Sequence, residues 1–233
     1  MPAARKPPSR VFAIVPAAGR SRRMGRAKQL LDLGGRPMLL ATVEPLAAAQ
    51  IAGVMVVTHR LIARQISAAL PAGVLLGRND DEHSEMIDSV RLGLRAWFER
   101  ASVAERDGFL VCPADHPGIT AADFDACLRA FRRDAGRIVV ASRAGRRGHP
   151  IIFPASLAPF VQSPACDRGL NALPRAFPES VVLVACRSPA VTRDIDTEAD
   201  CDRVRESGGG AAGPRRRHNP PAGRRKAERP PAT

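Results

Sequence analysis

The sequence predicts one doubly wound α/β domain, a mainly parallel sheet with helices on both faces, and three observations predict it. Short apolar runs alternate with stretches of helical periodicity from residue 11 to about residue 206, the pattern left by right-handed βαβ crossovers. The first run, VFAIVP at 11–16, is short, β-branched and closed by proline, as in an interior parallel strand. The 233-residue chain is 45% hydrophobic, long enough for one sizeable core, and shows no internal repeat and no interdomain linker before about residue 206.

The elements follow in order. After strand 11–16 comes AAGRSRRMGRAK at 17–28, a loop at the carboxyl end of a strand, where open α/β sheets bind ligands. Arg20, Arg22, Arg23, Arg26 and Lys28 would repel one another there without an anion or solvent between them, and Gly19 and Gly25 let backbone N–H groups come close to such an anion. The loop reads either as a solvated basic turn or as a phosphate cradle. It is neither a P-loop, because Gly19 to Gly25 is one residue too long and Arg26 follows, nor a dinucleotide fingerprint, because Ser21 and Met24 stand where glycines are needed. A helix over 37–49 follows, with Pro37 at its first position. Strand VMVVTH (54–59), helix 61–70, strand GVLLG (73–77) and helix 85–104 come next, then strand GFLVCPAD (108–115) and helix 121–133. RIVVAS (137–142), IIF (151–153) and VVLVAC (181–186) complete the strands.

Two acidic positions stand out. Asp115 ends the run 108–115, with Pro117 stopping the chain. A lone carboxylate there is slightly more often a helix N-cap, but strand ends of a parallel sheet share one edge, so Asp115 can face Lys28 and hold a divalent ion over phosphates. In RDIDTEAD, Asp194 and Asp196 flank Ile195, so on extended backbone both carboxylates point to one face while the isoleucine packs on the other. Thr197 and Asp200 have the spacing of a capping box. His116 is expected to be an exposed turn histidine, and His149 either bonds locally or faces a ligand.

Residues 17–28 resemble the signature of nucleotidyltransferases of the molybdopterin cytidylyltransferase and guanylyltransferase type, approximately A-A-G-x-S-x-R-M-G-x-x-K. The matches fall at Ala17, Ala18, Gly19, Ser21, Arg23, Met24, Gly25 and Lys28. RGHPIIF resembles the G-H-P turn that faces the acceptor in the cytidylyltransferase branch, here Gly148, His149 and Pro150. RDIDTEAD resembles D-x-D-T-P-E-D with Glu198 in place of the proline, and Ser89 matches a base-contacting serine. CDRGLNAL resembles G-D-x-G-x-R through Asp167 and Gly169, with Asn171 where arginine is expected, and His116 stands where the family has glutamine or methionine. The resemblance implies a fold like that of the nucleotide-diphospho-sugar transferases. It implies Mg²⁺-dependent transfer of CMP from CTP to the terminal phosphate of molybdopterin or its molybdenum complex, with release of pyrophosphate. Lys28, Arg23 and Asp115 would be catalytic; Ala17, Ala18, Gly19, Ser21, Arg23, Lys28 and Ser89 would bind nucleotide; Gly148, His149 and Pro150 would bind acceptor; Asp115 and Asp196 would hold the metal. A molybdoenzyme or its chaperone is the implied protein partner. The sequence Pro16-Ala17-Ala18-Gly19 also occurs in cytidylyltransferases of isoprenoid precursor synthesis, so a polyol phosphate, or a sugar 1-phosphate, is the alternative acceptor. A non-catalytic basic module binding nucleotide or RNA is the alternative outside enzymes.

The net charge of +13 is unevenly spread. Residues 207–233 carry seven Lys/Arg against one acid, residues 1–10 carry +3, and the 196 residues between hold only +4. Residues 1–10 therefore read as a disordered extension, 11–206 as the nucleotidyltransferase domain, and 207–233 as a disordered basic Pro/Gly/Arg-rich tail that cannot offset its own ordering entropy. The tail is either an anionic tether or an unselected extension, and its lack of aromatics makes it a poor single-strand binder, so nucleic acid is not an expected ligand of the domain. Five scattered cysteines with no C-x-x-C pair indicate neither a disulfide framework nor a zinc cluster. With no apolar leader run before Val11 and no apolar run of membrane-span length, the expectation is a cytoplasmic protein without membrane contact.

Overall fold

The computed structural model describes residues 8–19 and 27–207. Seven strands form one sheet in the order β3-β2-β1-β4-β6-β5-β7. The first four are β1 (Val11–Pro16), β2 (Gly53–Thr58), β3 (Leu75–Arg78) and β4 (Gly108–Val111), and their pairings β1–β2, β2–β3 and β1–β4 are parallel. β5 (Ile138–Arg143) and β7 (Val181–Ala185) also pair in parallel, while β6 (Arg146–Pro154) runs antiparallel between β4 and β5. Every residue of β1 is buried, because helices cover both faces. Val11, Ala13 and Val15 face α1 (Met38–Ala47), α2 (Arg60–Ile66) and α4 (Ala121–Arg133). Phe12 and Ile14 face α3 (Met86–Arg100) and the short α5 (Ala158–Gln162) and α6 (Ala172–Ala176). The alternation of one strand thus divides between two cores. The chain ends its described part in α7 (Glu198–Ser207).

The expected strand at 151–153 is in fact nine residues long. Arg146, Arg147, Gly148 and His149 contribute no apolar signal; they are extended because they continue a hairpin with β5, turned at Ala144 (φ 48°) and Gly145 (φ 77°). Two successive positive φ values match a two-residue turn that suits the twist of a hairpin. Helices α5 and α6 were likewise not expected; each is only five residues, too short for a periodic pattern.

The amino ends of the strands are fastened by Asp107. Its Oδ1 accepts from Arg10 N (2.9 Å), and its Oδ2 from Arg10 Nε (3.1 Å) and Ala104 N (2.9 Å). Burial alone would push this carboxyl up, but these hydrogen bonds outweigh it and hold it below the ordinary value. Arg10 and the buried Ser9 therefore belong to the folded body rather than to the extension expected over 1–10; partners 97 residues away in sequence gave no local signal. All five cysteines are buried and act as small apolar side chains. Among the described residues no helix is long and apolar enough to cross a membrane.

Candidate active site

The carboxyl ends of β1 and β4 open on a cavity of about 460 Å³ whose lining includes Ala17, Ala18, Gly19, Lys28, Ser89, Asp115 and Asp196. Its floor is set by backbone fastening. Ala17 N donates to Val57 O (2.8 Å), and Ala17 O accepts from Thr58 Oγ1 (2.9 Å) and Gln29 Nε2 (2.8 Å). Gln29 Nε2 also reaches Gly19 O at 2.7 Å. A Cβ built on Gly19 would meet nothing within 4 Å among the described residues, so packing against them does not require glycine there.

Lys28 begins a short 3-10 turn, Lys28–Leu30. Its Nζ lies 3.0 Å from Asp115 Oδ2 and 2.8 Å from Asp196 Oδ1. Partial burial lowers the affinity of the amine for its proton, but the two carboxylates together outweigh burial and raise it above the ordinary lysine value. Asp115 reaches this corner because Ala114 is held from two sides, its N–H by Pro16 O (3.3 Å) and its carbonyl by Thr42 Oγ1 (3.1 Å). Asp115 is not an N-cap: Thr120 caps α4 in a reciprocal box with Asp123.

Ile195 N donates to Asp115 O at 3.0 Å, and the Ile195 side chain is buried while Asp194 and Asp196 stay exposed. One carboxylate oxygen each from Asp115, Asp194 and Asp196 lies within 4.8 Å of the others. Thr197 and Asp200 are spent on the cap of α7: Thr197 N donates to Asp200 Oδ2 (2.8 Å) and Asp200 N to Thr197 Oγ1 (3.2 Å). Asp115 and Asp196 face Lys28, Asp194 lies beside them, and Asp115 Oδ1 is buried without a hydrogen-bond partner among the described residues. Three clustered carboxylates beside a buried oxygen that has no partner among the described residues fit a divalent cation with oxygen ligands.

A second cavity, of about 390 Å³, lies beyond this corner and includes His116, Arg147, Gly148, His149, Asn171, Arg175 and Asp194 in its wall. Of the expected acceptor residues, Gly148 and His149 line it, whereas Pro150 is buried behind them, joined to His149 by a cis bond. Gly148 is required by packing, since a Cβ there would fall 1.7 Å from Val191 O. Burial, with His116 beside it, pushes the His149 imidazole down to about 4, and His149 Nδ1 is buried with no hydrogen-bond partner among the described residues. His116 corrects the expectation of an exposed turn histidine: it is 7% exposed, and its Nδ1 lies 2.9 Å from Ala190 O. The chain after β7 folds back over it, a long-range contact with no local signal. Ser89 lines the first cavity but is 2% exposed, its hydroxyl accepting from Asn79 Nδ2 at 2.9 Å. Ser21 and Arg23 lie outside the described residues. Sequence reasoning missed Gln29, Asn79, Arg147 and Arg175, which belong to no motif and whose positions follow from the fold.

The chain matches the MobA-like NTP transferase domain over residues 13–181. It belongs to that family. Nucleotidyl transfer is the reaction class that membership carries. Among curated proteins it is 31% identical to a 2-C-methyl-D-erythritol 4-phosphate cytidylyltransferase of Streptomyces coelicolor, over 82% of this chain and 73% of that one. It is 28% identical to a nicotine blue oxidoreductase of Paenarthrobacter nicotinovorans, over 80% and 92%. Among solved structures it resembles the Rv0371c homologue of Mycobacterium sp. strain JC1, with a TM-score of 0.70 and 26% identity over 86% of this chain and 98% of that one. These neighbours include a CMP-2-keto-3-deoxy-manno-octonic acid synthetase at TM-score 0.65 and 17% identity, covering 86% and 98%, a likeness of fold.

Proposed function

We propose that residues 11–206 form a nucleotidyltransferase domain that moves CMP from CTP to a phosphorylated acceptor and releases pyrophosphate. The observation that carries this reading is the corner where Lys28 Nζ stands between Asp115 and Asp196, with Asp194 beside them, on the wall separating two cavities. One cavity takes the nucleoside triphosphate and the other the acceptor. Lys28 turns from its carboxylates to the triphosphate, and Arg23 in the preceding loop adds a second cation. Ala17, Ala18, Gly19 and Ser21 give the phosphates and ribose a close backbone, and Ser89, fixed by Asn79, stands at the base. Asp115 and Asp196, with Asp194, would hold Mg²⁺, whose bound charge would stabilise the α-phosphate and the attacking oxygen. The acceptor phosphate is ionised at neutral pH, so no side chain has to remove a proton before attack. Gly148 and His149 shape the acceptor wall, with Pro150 behind them.

The Streptomyces relative's name favours a polyol phosphate as acceptor. Molybdopterin is the second reading, favoured by the G-H-P turn and by the apolar side chains of Val140, Ile151, Pro174 and Val191 in the acceptor cavity, a suitable bed for a planar heterocycle. A cytoplasmic site of action follows from either. Pyrophosphate release measured with CTP, GTP, ATP and UTP, each with Mg²⁺ and with 2-C-methyl-D-erythritol 4-phosphate, a sugar 1-phosphate or molybdopterin, tests the reading. CTP with the polyol phosphate is expected to dominate, and dominance of molybdopterin selects the second reading. No pyrophosphate with any pair, together with salt-sensitive RNA binding or with oxidation of a reduced nicotinamide, would overturn both.

A further inference from the structure

His116 stands next to the carboxylate corner, directly after Asp115. Ala190 O can only accept, so the 2.9 Å contact makes His116 Nδ1 the protonated nitrogen. Nε2 is then the ring nitrogen left over, and Asp115 Oδ1 lies 3.8 Å from it. That distance is too long for a hydrogen bond, and Asp115 Oδ1 has no hydrogen-bond partner among the described residues. A histidine nitrogen and a carboxylate oxygen therefore face each other across a gap, and the oxygen is buried with no hydrogen-bond partner among the described residues. Two ligands held about 2.1 Å from one ion are at most about 4.2 Å apart, so the pair is within the span of a shared cation. A metal-binding imidazole ordinarily donates its other N–H to a backbone carbonyl or carboxylate, as His116 does to Ala190. Asp194, one of the three clustered carboxylates, lines the same cavity as His116.

We propose that His116 is a further ligand, through Nε2, of the divalent cation at the Asp115 corner, and that this nitrogen moves the site's preference from Mg²⁺ toward Mn²⁺. The inference rests on the reading of Asp115, Asp194 and Asp196 as a cation site and adds a donor of different chemistry. An all-oxygen site suits Mg²⁺, whereas an imidazole nitrogen favours first-row transition ions. Asp115 then serves two sides of one wall, Oδ2 toward Lys28 and Oδ1 toward His116.

The test uses the full chain loaded with Mn²⁺, alone and with CTP. Electron spin echo spectroscopy should show coupling of the bound Mn²⁺ to a ¹⁴N nucleus of histidine, and His116→Gln should remove it. Competition titration should show Mn²⁺ outcompeting Mg²⁺ in the parent chain, and His116→Gln should shrink that preference about tenfold or more, on the scale of altering a metal site's immediate surroundings. His149→Gln should keep the coupling, and circular dichroism melting confirms that each variant is folded. Mn²⁺ bound without nitrogen coupling, or coupling that survives His116→Gln, overturns the role of His116 while leaving the carboxylate corner standing. A parent chain that binds no Mn²⁺, or an Asp115→Asn variant that binds it as tightly as the parent, overturns the corner and the inference with it.

Discussion

Strand β4 carries an aspartate at each end, and the two live differently. Asp107, before the strand, is saturated: Arg10 and Ala104 donate to both of its oxygens, and it is almost fully buried. Asp115, four residues past the strand's end, shares one oxygen with a lysine that also serves Asp196, and its other oxygen is buried with no hydrogen-bond partner among the described residues. A fold gains nothing by leaving a buried carboxylate oxygen unmatched. The difference separates an acid that holds the chain together from one with an oxygen left for the cation proposed above.

The largest expected effect breaks the comparison at Asp115. Asp115→Asn should cut Mg²⁺-dependent turnover by about 10²–10³-fold, the scale of losing a charge that acts in the transition state, with a melting temperature equal to or above that of the parent. Thermal unfolding read beside pyrophosphate release decides it; preserved turnover would make Asp115 a second Asp107.

Titration sharpens the contrast, because the two ends fail in different pH windows. His149, on the Asp115 side, is held at about 4 in the fold against 6.5 when unfolded. The unfolded chain therefore takes up a proton first as pH falls. Its contribution to stability is complete above pH 6.5 and is lost as pH drops from 6.5 toward 4, by up to about 3 kcal/mol. Urea unfolding across that range should show the decline, and His149→Asn should flatten it. The carboxyl of Asp107 lies below its ordinary 3.8, so its contribution is present above 3.8 and lost only as pH falls below that. Asp107→Asn should then cost about 2 kcal/mol at neutral pH through weakened hydrogen bonds, with turnover per folded molecule unchanged. The smallest effect belongs to Thr197→Val, which removes the α7 cap and should cost about 1 kcal/mol, read as earlier hydrogen exchange in that helix alone.

What the sequence made legible follows from what is local. β1, β2 and the helices after them announced themselves through periodicity and breakers, and Asp196 was separable from Thr197 and Asp200 because the capping spacing accounts for only the latter two. That Lys28 and Asp115 face one cavity was reachable by one further step, that parallel strand ends share an edge, whereas Asp196, well past the end of β7, came in only through the family resemblance. His116 was misread because the segment that buries it arrives some 70 residues later. β6 was read as three residues instead of nine because half of it is polar and extended only through its partner. Gln29, which fastens Ala17 and Gly19, resembles any other surface glutamine until the chain is folded.

Gly148 has a consequence for how this enzyme can change. With its Cα pressed against the carbonyl of Val191, β6 and the segment leading to Asp194 and Asp196 meet with no side chain between them, and the joint has no play. Mutational drift at that point is closed, because any larger residue would displace the acid-bearing segment as a whole. Arg147, Asn171 and Arg175 stand on the same cavity, and all three are exposed. They can be exchanged while the joint stays fixed, so on the reading proposed above the lining of the acceptor cavity can change without moving the carboxylates.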